Sequence, residues 1–111
     1  MFGFYQDYSD TVTVKIEVEL SPAFQTALRS SRLLIELEED ERTVEGLLRR
    51  LSRESGGKID SLIFEEEGNA IFSGLMVMVN DRVFTGTALN QEIIRLRDRD
   101  KVSLLYFVSG G

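Results

Sequence analysis

An α+β fold, strands packed on one main helix, is what this sequence predicts, and three observations carry it. From Thr11 to Leu20 the alternation is unbroken. Val12, Val14, Ile16, Val18 and Leu20 lie on one face, Thr11, Thr13, Lys15, Glu17 and Glu19 on the other, the period of a half-buried strand. Val44, Leu47, Leu48 and Leu51 recur at i, i+3, i+4 and i+7, one apolar stripe along a helix. Val102 to Val108 is apolar on both faces, so it is either a central strand or a strand with one face at an interface.

The elements follow in order. After Leu20, Ser21-Pro22 supplies an N-cap with proline at the first helical position, so Ala23 to Leu28 reads as a short helix or turn within an elaborated hairpin connection. Leu33 to Glu38 is the second strand, with Leu33, Ile35 and Leu37 alternating against Leu34, Glu36 and Glu38. Thr43 caps the helix from Val44 to about Arg53. Arg49, Arg50 and Arg53 face away from its apolar stripe, either as a solvated face with cations near the helix C-terminus or as a partner site. Gly56-Gly57 ends the helix.

Ser61 to Glu66 and Ala70 to Phe72 flank the turn signal at 66–69 and read as a hairpin or extended loop. Leu75 to Val79 is a clear strand, Leu75, Val77 and Val79 on one face and Met76 and Met78 on the other. Asn80-Asp81 turns the chain into a short return strand at Val83-Phe84. Arg95 to Lys101 is a polar connection into the final strand, which carries Val102, Leu104, Tyr106 and Val108 on one face and Ser103, Leu105 and Phe107 on the other.

Composition narrows the function. The 111 residues, 42% hydrophobic, fit one domain that buries roughly two-thirds of its unfolded surface. Residues 1–10 read as an aromatic arm carrying Phe2, Phe4, Tyr5 and Tyr8, and 11–111 as the domain. The formal charge of −6, with no basic cluster, argues against nucleic acid as a partner. No long apolar run and no signal-peptide pattern occur, so the expectation is a cytoplasmic protein without a membrane partner. There is no Cys and no His. Thiol nucleophiles, disulfides, Cys/His zinc sites and the commonest general base are therefore excluded together. The acidic runs 36–41 and 65–67 have the look of solvated strand ends and turns, and no calcium-loop pattern fixes a ligand geometry, so no metal site is expected.

The order of elements ending in Gly110-Gly111 resembles the β-grasp, or ubiquitin-like, fold, a mixed sheet on one helix. Three stretches are similar to the MoaD/ThiS family of sulfur carriers: "RTVEGLLRRL" at 42–51, "VMVNDRVF" at 77–84, and "LRDRDKVSLLYFVSGG" at 96–111. With the first strand the resemblance spans about Thr11 to Gly111, and it is closest to the molybdopterin-synthase small subunit. The chain departs from the pattern at Arg99, where the family usually has glycine, and at Tyr106-Phe107, where prolines are common. The 21–32 and 86–95 connections are also longer than usual.

The resemblance implies a carrier, not an enzyme by itself. An E1-like activating enzyme would use ATP and Mg²⁺ to adenylate the carboxylate of Gly111, and a persulfide protein would convert the adenylate to a thiocarboxylate. The carrier itself would bind no cofactor. Gly110 and Ser109 would form the unobstructed tail, since glycine has no Cβ to bar a narrow channel. Val83, Leu105, Phe107, Met76 and Met78 would form the patch docking on the activating enzyme and on the synthase large subunit, unless a loop or the aromatic arm covers that face. Delivery of sulfur to molybdopterin is the first expectation. The alternatives are delivery to thiamine, cysteine or tRNA, conjugation to lysine as a ubiquitin-like modifier, and a β-grasp binding module with inert glycines.

Overall fold

A computed structural model describes residues 13–65 and 70–106. Strands β1 (Thr13–Leu20) and β2 (Arg32–Glu38) form an antiparallel pair with Val14 opposite Leu37 and Ile16 opposite Ile35. Between them runs helix α1 (Pro22–Leu28), with Ser21 extended at its N-cap and Pro22 in the first turn, and Arg29 closes it at φ 57°. A 3-10 turn at Glu39–Glu41 leads into the main helix α2 (Val44–Glu54), followed by a short helix α3 (Asp60–Ile63). Strands β3 (Leu75–Val79) and β4 (Arg82–Thr85), helix α4 (Gly86–Gln91) and strand β5 (Lys101–Tyr106) complete the fold.

The sheet order is β2-β1-β5-β3-β4. β5 lies parallel to β1 and antiparallel to β3, so the last strand is central in the sheet order, with Val102 and Leu104 facing the helix layer. One face of the sheet packs on α2. Ile16, Val18, Leu37, Val77, Val102 and Leu104 meet Leu47, Leu48 and Leu51 there, all fully buried. Each such side chain contributes roughly 1.5–3 kcal/mol by leaving water.

The entry to α2 explains one sequence signature. Thr43 Oγ1 accepts the Gly46 N–H at 2.9 Å, and a Cβ at Gly46 would stand 2.5 Å from the Glu41 carbonyl oxygen. Only glycine lets the first turn rest on the 39–41 turn. At the other end Gly56 (φ 68°) and Gly57 (φ 84°) donate to the carbonyls of Arg53 and Ser52, the Schellman pattern.

The arginine face of α2 is neutralised locally. Arg50 pairs with Glu41 and Glu54, each at 3.0 Å, Arg53 with Glu41 at 2.6 Å, and Arg49 with Glu45 at 3.2 Å. Arg49 also lies over the Phe64 ring at 4.7 Å. Burial penalises the charged Glu41 carboxylate. The Glu38 N–H and the Arg53 and Arg50 guanidiniums outweigh that cost and hold its pKa below the usual range. Bonding to Glu54 and attraction to Glu41 raise the pKa of Arg50 against its own partial burial.

Two segments differ from the sequence reading. Ser61 to Glu66 is not one strand: Ile59 and Ile63, four apart and both fully buried, make 60–63 helical. Strand-like pairing begins only at Phe64, which bridges Ile71, while the Glu65 N–H reaches the Ala70 carbonyl at 2.8 Å. The 86–95 connection holds α4, whose cap Thr85 accepts the Ala88 N–H at 3.2 Å. Gly86 is obligatory there, because a Cβ would fall 1.8 Å from the Phe72 carbonyl oxygen. Among the described residues no helix is long and apolar enough to cross a membrane.

Candidate functional site

On the sheet face away from α2, strand register brings the expected patch residues together. Met76 stands opposite Leu105 on β5 and Thr85 on β4, and Met78 stands opposite Ser103 and Val83. Side chains opposite one another on a sheet lie within contact reach. Val83, on the edge strand, is 52% exposed, while Met76, Met78 and Leu105 are half-buried. Between them Ser103 is buried at 7%, its hydroxyl 3.4 Å from Glu19 Oε1. Four of the five expected patch residues thus share one contiguous area that no described helix covers. Phe107 lies outside the described residues.

The same face changes character toward β2. Arg32 pairs with Glu19 at 3.0 Å and with Glu17 at 3.6 Å, a charged border beside the apolar area. Leu34, on β2, is 69% exposed and was not among the expected patch residues. Its signal was present, since it is an apolar residue at an outward position of its strand.

A corner of hydrogen bonds fixes how β5 enters the sheet. Asp98 Oδ1 accepts the Lys15 N–H at 2.8 Å, and the Arg99 N–H reaches the Lys15 carbonyl at 2.7 Å. Asp100 accepts the Arg97 N–H at 2.8 Å and the Asn80 side-chain amide at 3.0 Å. Asn80 in turn accepts the Lys101 N–H at 3.1 Å, and its own N–H reaches the Lys101 carbonyl at 2.8 Å. The motifs at 77–84 and 96–101 therefore meet, and the aspartates serve as clamps for β1, β3 and β5. Asn80 and Arg99 hold positive φ of 54° and 72°. Arg99 so occupies, in a side-chain-bearing residue, the conformation that favours glycine.

β5 runs from this corner to Tyr106, roughly 17–20 Å away at strand rise. Ser109, Gly110 and Gly111, like the 1–10 arm, lie outside the described residues. Among the described residues no group of His, Cys, Asp or Glu forms a metal-binding cluster.

This sheet order, with a parallel central strand and one main helix across it, is that of the ubiquitin-like β-grasp proteins. The ThiS family model matches residues 26–111, and the chain belongs to that family of ubiquitin-like sulfur carriers and modifiers. SAMP1 from Haloferax volcanii, a small archaeal modifier protein, superposes with a TM-score of 0.69 at 21% identity, over 87% of this chain and 99% of that one. The Haloferax volcanii HVO 2177 protein does so with a TM-score of 0.69 at 25% identity, over 89% and 88%. A putative molybdopterin converting factor subunit 1 from Pyrococcus furiosus gives 0.61 at 23% identity, over 86% and 99%. No curated protein matches the sequence. Members of this family are not enzymes themselves and work with E1-like activating enzymes and partner subunits.

Proposed function

We propose that this chain carries sulfur on the α-carboxylate of Gly111 and donates it in molybdopterin synthesis, as the small subunit of a synthase. An unperturbed α-carboxyl has a pKa of roughly 3.5, so as a class such groups are ionised at neutral pH and are competent nucleophiles toward the α-phosphorus of ATP. On an E1-like enzyme with Mg²⁺, attack releases pyrophosphate and leaves an acyl-adenylate. A donor persulfide then attacks the acyl carbon and displaces AMP, and a second thiol, on the donor or added, attacks the donor-side sulfur of the resulting acyl disulfide, forming a disulfide with the donor cysteine and releasing the thiocarboxylate. A carrier with no cysteine of its own does not compete in those exchanges.

The observation that carries this reading is the pairing of the Met76, Met78, Val83 and Leu105 area with the strand that leads to Gly110-Gly111. An apolar anchor beside a slender tail suits a protein that must dock and insert its end into another's active site. The Pyrococcus furiosus relative supports the molybdopterin assignment, and SAMP1 supports a second reading, conjugation of Gly111 to lysine. Incubation with an E1-like enzyme, Mg-ATP and a persulfide donor, followed by intact-mass measurement, tests the proposal. The expected gain is the mass difference between oxygen and sulfur. Addition of the thiocarboxylate form to a synthase large subunit and precursor pterin should then yield a dithiolene product. Lysine conjugates without product would instead assign the modifier role.

A further inference from the structure

The long 86–97 connection builds a second surface, on the helix side of the sheet and away from the Met76 area. After α4 the chain is extended and pinned: the Val44 N–H donates to the Ile94 carbonyl at 2.9 Å and the Leu96 N–H to the Arg42 carbonyl at 2.8 Å, with Thr43 bridging Arg95. Burial alternates along it. Ile94 and Leu96 turn inward, while Ile93, Arg95 and Arg97 are exposed, Ile93 at 75%. Period-two alternation sets these three side chains in one outward row.

Across from this wall stands the β3–β4 hairpin, and a cleft of about 350 Å³ lies between them, with Val79, Phe84 and Ile94 as its apolar lining and Arg82, Arg95 and Arg97 at its sides. Arg82 lies over the Phe84 ring at 5.3 Å. None of these three arginines is ion-paired among the described residues. Of the two carboxylates on the cleft, Asp100 is already bonded to Asn80 and to the Arg97 N–H, and Asp81 alone does not balance three guanidiniums. In a chain of net charge −6, whose other helix-side arginines are paired within α2 and the 39–41 turn, this is a local excess of cation. The backbone groups of Ile93 and Arg95 also make no hydrogen bond among the described residues.

We infer that this cleft docks an extended, acidic segment of a partner polypeptide bearing an apolar side chain. Carboxylates answer the guanidiniums, with fork-to-fork geometry available to each. An apolar residue answers Phe84 and Ile94 in the cleft lining, and main-chain groups answer the unbonded peptide units of an extended wall. A small anion would use the arginines and leave the rest unanswered. The inference does not depend on the chemistry of Gly111.

Titration of the ¹⁵N-labelled full chain with an acetylated octapeptide of alternating Glu and Leu tests it, with the Lys/Leu peptide as control. Saturable amide shifts are expected at 82–84 and 93–97, weakening as salt rises, and absent with the control. Arg95→Glu with Arg97→Glu should lower affinity by about tenfold or more. Shifts centred on Met76 and Leu105, or equal binding of inorganic pyrophosphate, would overturn the inference. So would tighter peptide binding after deletion of residues 1–10, which would make the chain's own arm the occupant. A dimer in sedimentation that Arg95→Glu disperses would give the cleft to a second copy and also overturn it.

Discussion

The Asn80 side chain binds Asp100 through its amide nitrogen at 3.0 Å, and with its oxygen it accepts the N–H of the next residue, Lys101, at 3.1 Å. This one side chain ties the β3–β4 turn to the start of the central strand. Asn80→Ala would leave both partners short of a bond and remove a residue that tolerates positive φ. A loss of about 1–3 kcal/mol is expected, read as a lower urea midpoint at unchanged slope.

Arg99 presents the opposite case. Its φ of 72° is strained for a side-chain-bearing residue, and its ion pair with Asp98, at 3.8 Å and well exposed, contributes little. Arg99→Gly should therefore stabilise the protein by up to about 1 kcal/mol despite the greater freedom of glycine in the unfolded chain. A lower melting temperature would show that Arg99 makes a contact of more value than its strain.

Glu41 sets part of the acid response. Its folded-state pKa lies below its unfolded value near 4.5, so its contribution is fully present above that value and is lost as pH falls through the lower folded one. Glu41→Gln should cost about 1–2 kcal/mol near neutrality, and less at about pH 3, narrowing the gap to the parent. The raised pKa of Arg50 acts only above the ordinary guanidinium range and leaves that comparison untouched. Urea midpoints measured across this window check both statements.

The two sheet faces should respond differently to a carboxylate. Val83→Glu, at an exposed edge position, should change stability by no more than about 0.5 kcal/mol and weaken docking to an activating enzyme. Leu48→Asp and Val14→Asp place a charge in the core and should abolish cooperative folding, since burying it costs several kcal/mol against a total of about 5–15. Circular dichroism on melting separates these outcomes. Soluble, cooperative folding of both core variants would contradict the assignment of the faces.

Much of this was legible in the sequence because it rests on periodicity and punctuation. β1 and α2 carry unbroken patterns, β2 and β3 alternate in burial with Leu34, Met76 and Met78 as apolar outward residues, and Thr43 and Gly56-Gly57 mark the helix ends. What was not legible rests on tertiary contact. A run such as Leu62-Ile63-Phe64 fits strand or helix equally, and the burial of Ile59 with Ile63 decides it. α4 is too short for its pattern to register, and so Ile93 and the row of arginines beyond it could not be placed. The resemblance located Asp98, Asp100 and Asn80 without saying what they do, and their clamping role comes from long-range partners. Strand parity puts Met76, Met78 and Leu105 on the outward face, and the resemblance added Val83, which pairs with Met78 there.

The central claim is that the Gly111 carboxylate is the working group, and deletion of that residue tests it most directly. The carboxylate would then stop one residue, at most ~3.6 Å, short of the α-phosphorus, a gap that defeats in-line attack and leaves the core untouched. With a cognate E1-like enzyme and Mg-ATP, the deletion variant should melt like the parent and support no ATP–pyrophosphate exchange. Exchange at the parent rate would contradict the account.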